Sequence, residues 1–352
     1  MYGRTLIDDS DCSDRELNNI LYLAKRMKSN RFSNEWKNIL DNRAFVLLFF
    51  NASLRTRLSF EIGIKELGGH AQAITPEQIW LNTSGGATEA LKDIAQVISR
   101  YAAGIGVRIS LDRLKYSGEE YEILKAFENY SNVPIINMAT DAHHPCQAFA
   151  DLMGWSEYFS QYDQSAYIEN LKKKKLLLTW ASSPMIRPLA SVQSHLTLAA
   201  RLGMDIMLSM PKGYDIDPAV SKTISNVCKA KGSRFDISHD PEEGYDAADV
   251  VYARHWVSRD AYQHGQLQCE SEKQKALKLK EWIVNDEKMQ RSKHSIFANP
   301  MPVMRNYEAT DAVIDSHRSV IYDVAENRLH VQKAILSLIG CVTKGAMDQY
   351  LT

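Results

Sequence analysis

Seven consecutive apolar residues, Ala44-Phe-Val-Leu-Leu-Phe-Phe50, restrict the fold of this chain more than any other feature. A run this short cannot cross a membrane, and its β-forming residues leave neither face of a strand polar. A strand apolar on both faces must be covered on both, which is the condition of a parallel sheet between helices. The polar turn Asn51-Ala-Ser-Leu-Arg-Thr-Arg57 follows, and then a helical pattern that stops at Leu67-Gly-Gly69. Strand, turn, helix and glycine stop make the first half of a βαβ unit.

The same grammar recurs along the chain. Strands are predicted at 101–110, which contains Gly104-Ile-Gly-Val-Arg108, and at 133–138, each ending at polar residues. A helix is predicted after His143-His-Pro-Cys-Gln147, and a polar, lysine-rich stretch at 157–175 reads as a domain junction. A second strand series runs through 175–180, 205–210, 234–238, 250–254 and 296–302, with helical segments such as 190–202 between. The first forty or so residues read as helical, with a capping box at Ser13-Asp-Arg-Glu16, and a long helix is predicted from Asp323 to about Gly345. The expected architecture is α/β, with two doubly wound parallel-sheet domains, residues 1–155 and 156–322, and a cleft between them. Residues 323–352 are expected to form a C-terminal helix returning to the first domain.

The 352 residues carry 42 Lys plus Arg against 43 Asp plus Glu, a net charge of −1. That balance builds no basic field for nucleic acid or an anionic membrane, yet leaves room for a small phosphate-bearing ligand held by a few local cations. The five cysteines are scattered and form no C-x-x-C pair, which argues against a disulfide framework or structural zinc. The first ten residues contain no apolar stretch of signal-peptide length, so a cytoplasmic protein is expected.

Candidate chemistry gathers at predicted strand ends. Between a strand and a helix, Ser53, Leu54, Arg55 and Thr56 stand at a helix N-terminus, where backbone N–H groups and the helix dipole favour an anion. Arg55 adds a planar fork suited to phosphate oxygens, and the hydroxyls of Ser53 and Thr56 add donors. Taken alone, S-x-R-T-R also fits a capped helix with solvated arginines. Arg108, His144 and Gln147, placed after successive strands of the same half, shift the reading, because parallel strand ends converge on one crevice. Together they offer donors to a polarised carbonyl and its phosphate, the requirement of an oxyanion-stabilised acyl transfer. No G-x-x-x-x-G-K-[ST] or G-x-G-x-x-G supports a nucleotide reading, and His143-His144 alone does not make up a metal ligand set, so no metal is assigned.

These residues resemble the aspartate/ornithine carbamoyltransferase family, and within it the N-acylornithine branch. The similarity runs from about Phe45 to Lys333. Phe49-Phe-Asn-Ala-Ser-Leu-Arg-Thr-Arg57 is similar to the family's carbamoyl-phosphate loop, His144-Pro-Cys-Gln147 to its H-P-x-Q motif, and Ile105-Gly-Val-Arg108 to the strand carrying a carbonyl-binding arginine. Leu178-Thr-Trp180, Tyr252-Ala-Arg-His-Trp256 and Ala325-Glu-Asn-Arg-Leu-His-Val-Gln332 resemble further segments of the branch.

The resemblance implies a carbamoyl-phosphate-binding domain, an amino-acid-binding domain with a knotted chain, a homotrimer with sites at subunit contacts, and no metal or organic cofactor. It implies that Ser53, Leu54 (through its backbone), Arg55 and Thr56 hold phosphate, with Trp80 closing over it. Arg108 and His144 polarise the carbamoyl oxygen, Gln147 holds the carbamoyl group, and Arg328 completes the site.

Departures from the family pattern concentrate in the second half. Ornithine-type members carry His-Cys-Leu-Pro where this chain has Asn299-Pro-Met-Pro302, so the thiol is gone, although the carbonyls of Pro300 and Met301 can still accept from a carbamoyl NH₂. The branch's Tyr-Ala-Lys-Ser-Trp becomes Tyr252-Ala-Arg-His-Trp256, a guanidinium fork for an ammonium point charge. Met304 stands where the branch has a second loop arginine, and Thr88 lies in the loop that sorts acyl groups. Acceptor binding is therefore assigned to Arg254, Thr88 and Met304. Three functions follow: carbamoyl transfer to ornithine or an N-acylornithine, transfer to another amine, or ligand binding without catalysis.

Overall fold

The computed structural model describes residues 1–75, 78, 89–109, 116–160, 168–263, 266–342, 345, 347 and 348. These residues divide into two units, Met1–Ala150 with Glu326–Thr352, and Asp151–Ala325.

Unit 1 is built on β1 (Ala44–Phe49), whose residues from Phe45 onward are all buried. The amino-terminal helix α1 (Asp14–Ser29) begins with the capping box expected from Ser13 and Glu16, but it accounts for less than half of the stretch predicted as helical. After β1 come α2 (Leu54–Glu66), β2 (His70–Ile74), α3 (Leu91–Tyr101), β3 (Gly104–Arg108), α4 (Glu119–Tyr130), β4 (Ile135–Ala139) and α5 (Pro145–Phe159). The strands form one parallel sheet in the order β2-β1-β3-β4. Sequence reading missed β2, and the reason is physical. It is a half-exposed edge strand, so it lacks the continuous apolar run by which buried strands announce themselves.

Helices α3 and α4 cover one face of this sheet, with Ile94, Ile98, Leu124 and Phe127 packed against Val46, Leu48, Ile105 and Val107. Two glycines make room for the Phe45 ring. A Cβ at Gly104 would stand 2.7 Å from it, and one at Gly340, late in the C-terminal helix, 2.5 Å from it. That helix is further tied to this unit where Lys333 Nζ donates to Glu66 Oε2 at 2.8 Å.

Unit 2 repeats the construction with β5 (Lys175–Trp180), α6 (Ala190–Leu202), β6 (Asp205–Ser209), α7 (Pro218–Lys231), β7 (Phe235–Ser238) and β8 (Val250–Arg254). A two-residue ladder, β9 (Tyr262–Gln263) with β10 (Gln266–Leu267), and the short helices α8 (Cys269–Ala276) and α9 (Asp286–Gln290) precede β11 (Ile296–Ala298). Then come α10 (Asp311–Ile314) and α11 (Ile321–Gly340), the C-terminal helix. The sheet is parallel in the order β11-β8-β5-β6-β7. Leu177, Val251, Ala253 and Phe297 supply its core from the strands, and Val313, Ile314 and Ile321 cover it.

Both sheets reverse direction once. In unit 1 the chain steps outward from β1 to β2 and then returns to place β3 on the other side of β1, and in unit 2 it steps from β5 to β7 before placing β8 on the other side of β5. At such switch points the loops leaving the carboxyl ends part, which is where open α/β sheets hold ligands.

Candidate active site

In unit 1 the switch point lies between β1 and β3, where Phe49 stands opposite Arg108 and the Phe50 N–H donates to the Arg108 carbonyl at 2.9 Å. The loop carrying Ser53 and the side chain of Arg108 therefore leave the sheet at one level. Ser53 caps α2 with extended backbone, φ −153° and ψ 107°, but its hydroxyl makes no cap hydrogen bond, and the first helical turn holds no acid. An anion at this helix end meets donors and no competing carboxylate from that turn. The Leu54 side chain is 68% exposed, so only its backbone can serve the turn.

Thr56 joins three elements. Its buried hydroxyl accepts from Arg108 Nη1 at 3.3 Å and from Arg328 Nη2, on α11, at 2.9 Å. Burial pushes the Arg108 guanidinium down to about 10, with Glu120 opposing that fall and the nearby Arg55 adding to it. Arg108 stays charged at neutral pH, and its Nε is buried without a hydrogen-bond partner among the described residues. A crowded, incompletely satisfied cation of this kind is stabilised by an incoming oxyanion.

The neighbouring strand end delivers the histidine motif. The His143 carbonyl accepts from Asn137 Nδ2 at 3.1 Å, and from Thr140 N at 3.1 Å and Oγ1 at 3.2 Å, while its Nδ1 faces the buried Asp9 carboxylate at 3.1 Å. Burial opposes the His143 charge, but the hydrogen bond and charge of Asp9 outweigh it and raise the pKa. His143 is thus an anchor for the loop, and His144 beside it is likewise half-buried. The His144 carbonyl accepts from Gln147 N at 3.0 Å and Ala148 N at 3.1 Å, opening α5 and fixing Gln147 one turn on. Cys146 is fully buried, and that burial pushes its thiol up to about 12, so it fills space. Among the described residues no group of three or more His, Cys, Asp or Glu is placed to hold a metal.

In unit 2 the switch point pairs Trp180 with Arg254. Arg254 Nη1 donates to the Pro300 carbonyl at 3.3 Å, and Arg187 Nη2 to the Pro302 carbonyl at 2.6 Å. The Pro300 carbonyl keeps a second lone pair for another donor. Burial, and then the positive charge of Arg187, push Arg254 down to about 9, and its Nε is buried without a partner. Arg187 is balanced by the fully buried Glu308, 3.1 Å away, whose other oxygen accepts from Asn299 Nδ2 at 2.9 Å and Met304 N at 3.2 Å. Asn299 Nδ2 also donates to the Ala253 carbonyl at 2.8 Å, so the 299–304 loop is clamped to β8. The Met304 backbone belongs to this clamp, whereas Arg305 beside it is exposed and bound to Asp311 and Asp315.

Burial pushes His255 down to about 3, and it packs as a neutral ring against Trp180 at 5.2 Å. Sequence reading did not find Asp9, Arg187 or Glu308. Arg187 had a signal, a charged residue just beyond a strand end between Pro184 and Pro188, whereas Glu308 had none. Trp80 and Thr88 lie outside the described residues.

Comparison with known proteins identifies the family of the chain. Residues 4–157 match the model of the aspartate/ornithine carbamoyltransferase carbamoyl-P binding domain, and residues 190–339 that of the Asp/Orn binding domain. The N-acetylornithine carbamoyltransferase of Xanthomonas axonopodis pv. citri is 36% identical over 95% of this chain and 96% of its own. The ornithine carbamoyltransferase of Methanopyrus kandleri is 34% identical over 95% of this chain and 97% of its own. A solved structure of acetylornithine transcarbamylase complexed with acetylcitrulline superposes with a TM-score of 0.84 at 36% identity, covering 96% of this chain and 99% of that one. With two matched domains and relatives aligned along almost its whole length, the chain belongs to the aspartate/ornithine carbamoyltransferase family.

Proposed function

We propose that this protein transfers the carbamoyl group of carbamoyl phosphate to the primary amine of an ornithine-type amino acid, N-acylornithine or ornithine, releasing phosphate and a citrulline-like ureido product. The observation that carries this reading is the Thr56 hydroxyl, which ties Arg108 and Arg328 to the first turn of α2 at the switch point of unit 1. Ser53, the Leu54 backbone, Arg55, Thr56 and Arg328 serve the phosphate, and Trp80 joins them from outside the described residues. Arg108 and His144 stabilise charge developing on the carbamoyl oxygen, Gln147 holds the carbamoyl group, and the Pro300 and Met301 carbonyls take its NH₂. The unprotonated amine attacks the carbamoyl carbon, the bond to the phosphate oxygen breaks, and the amine's proton leaves with the phosphate. Arg254, Met304 and Thr88 serve the amino-acid substrate.

A second reading, transfer to a different amine, draws on the clamp of Asn299, Glu308 and Arg187 around a loop without a thiol. The full reading adds a cytoplasmic homotrimer in arginine biosynthesis, checked by the scattering mass in solution. The deciding experiment is phosphate release from carbamoyl phosphate, with mass detection of ureido products, over ornithine, N-acetylornithine, N-succinylornithine, lysine, diaminopropionate, aspartate and putrescine. Turnover is expected with ornithine or an acylated ornithine. Turnover with only another amine sinks that assignment and keeps the donor half. No turnover, and no binding of a carbamoyl-phosphate analogue, sinks both.

A further inference from the structure

Unit 2 carries a pocket of about 280 Å³ that the transfer reaction does not use. Lys174 and Asp249, on its wall, immediately precede β5 and β8, and His294 lies two residues before β11. The strands are parallel, and Arg254 and Asn299 lie at or just beyond their carboxyl ends, so the pocket opens at the opposite end of the same sheet.

Its walls hold more positive charge than the described residues pair with acids. Among the described residues Asp249 is the only carboxylate lining it, and that group is already engaged, with Oδ1 3.1 Å from Lys174 Nζ and Oδ2 accepting from the Lys175 N–H at 2.8 Å. Lys293, His294 and His317 also line the pocket, all exposed, and none makes a side-chain hydrogen bond or ion pair among the described residues. Arg318 is the rigid part. Its Nε donates to the Ser295 carbonyl at 2.8 Å and its Nη2 to the carbonyls of Met289 and Ser292 at 2.7 and 2.8 Å, while Nη1 has no acceptor among the described residues. Two other surface arginines of this unit, by contrast, are paired, Arg291 with Asp246 and Arg305 with Asp311 and Asp315. Tyr158 and Phe159 add an aromatic wall, with the Lys174 ammonium 4.5 Å from the Phe159 ring centroid.

A fixed guanidinium, an ammonium without a counter-ion and two imidazoles around one concavity suit a ligand that brings several anionic oxygens at once. We infer that this pocket binds a small multivalent oxyanion, phosphate- or carboxylate-bearing, as a ligand separate from the substrates. The inference does not depend on which amine the enzyme uses.

The test is calorimetric titration of the full-length protein with pyrophosphate and, separately, with citrate. It is run on the natural sequence, on Arg55→Ala to weaken phosphate binding at the donor site, and on Lys293→Glu with His317→Ala. Among the described residues neither Lys293 nor His317 makes a side-chain hydrogen bond or ion pair, and His294→Ala, equally free of such bonds, gives a second, milder variant. At least one anion is expected to bind Arg55→Ala with a Kd below about 1 mM. The Lys293→Glu/His317→Ala protein is expected to bind it about tenfold or more weakly, with carbamoyl transfer unchanged. Tighter pyrophosphate assigns the pocket to phosphoryl compounds, and tighter citrate to polycarboxylates. Binding that disappears in Arg55→Ala, or survives undiminished in the Lys293 and His317 variants, overturns the inference.

Discussion

The two switch points use arginine in opposite ways. In unit 1, Arg108 and Arg328 both donate to one neutral hydroxyl, that of Thr56, so their charge is organised but not cancelled by it. In unit 2, Arg187 is cancelled by Glu308, and the same carboxylate holds Asn299 and Met304, so the charge is spent on fixing a loop. The first arrangement suits an anion, and the second makes a rigid wall that holds Arg254, a cation whose Nε is buried without a hydrogen-bond partner among the described residues. This contrast predicts that substitutions in unit 1 damage chemistry and those in unit 2 damage architecture.

The largest effect should come from Glu308→Ala. Removing that carboxylate leaves Arg187, 5% exposed, as a buried charge without its counter-ion, a change that costs about 3–5 kcal/mol in stability. Urea unfolding followed by tryptophan fluorescence reads it directly. A loss below about 1 kcal/mol would show that the clamp is slack and that unit 2 resembles unit 1 after all.

Arg108→Ala tests the other side. Loss of one preorganised oxyanion donor typically lowers kcat about 10²–10³-fold, whereas the partner left behind here is a neutral hydroxyl, so stability should change far less than in Glu308→Ala. Steady-state phosphate release and the same urea titration separate the two. A variant that unfolds early but turns over normally once folded would reverse the assignment of roles.

Thr56→Val should be milder. It is nearly isosteric and leaves both arginines in place, but removes their shared acceptor, at a cost of about 1–2 kcal/mol in positioning. The expected readout is a KM for carbamoyl phosphate raised roughly tenfold, with kcat less affected. A lower kcat at constant KM would mean that the hydroxyl acts on the transition state.

What could be read from sequence follows the same division. Unit 1 builds its candidate site from short contiguous motifs at strand ends, so the turn at Ser53–Thr56, Arg108 and His144–Gln147 could be proposed as a set from the sequence. The fully buried strands were visible too, because burial on both faces leaves a continuous apolar run. The clamp in unit 2 was not legible. Arg187 comes from a segment more than a hundred residues before Asn299 and Glu308, and the parallel register of β5, β8 and β11 brings the two segments together. Asp9 was hidden for the same reason, since its partner His143 is distant in sequence and its own neighbours form no motif. Contiguity, more than importance, decided what the sequence revealed.

The smallest expected effect concerns thiols. With Pro300 in the late-strand loop, the thiol beside the proposed chemistry in this chain is Cys146, within the His-Pro-Cys-Gln motif. Its pKa of about 12 leaves about one part in 10⁴ ionised at pH 8, and it has no exposed surface through which a reagent could reach it. Of the five cysteines only Cys269 is exposed. Treatment of the native protein with a thiol-specific reagent at pH 8 should therefore label one cysteine per chain quickly and leave carbamoyl transfer unchanged. Mass spectrometry of the labelled peptide and an activity assay on the same sample check both halves. Rapid loss of activity with label on Cys146 would mean that the loop anchored by Asp9 and His143 opens in solution, and the donor site would then be less preorganised than the hydrogen bonds around Thr140 and Asn137 require.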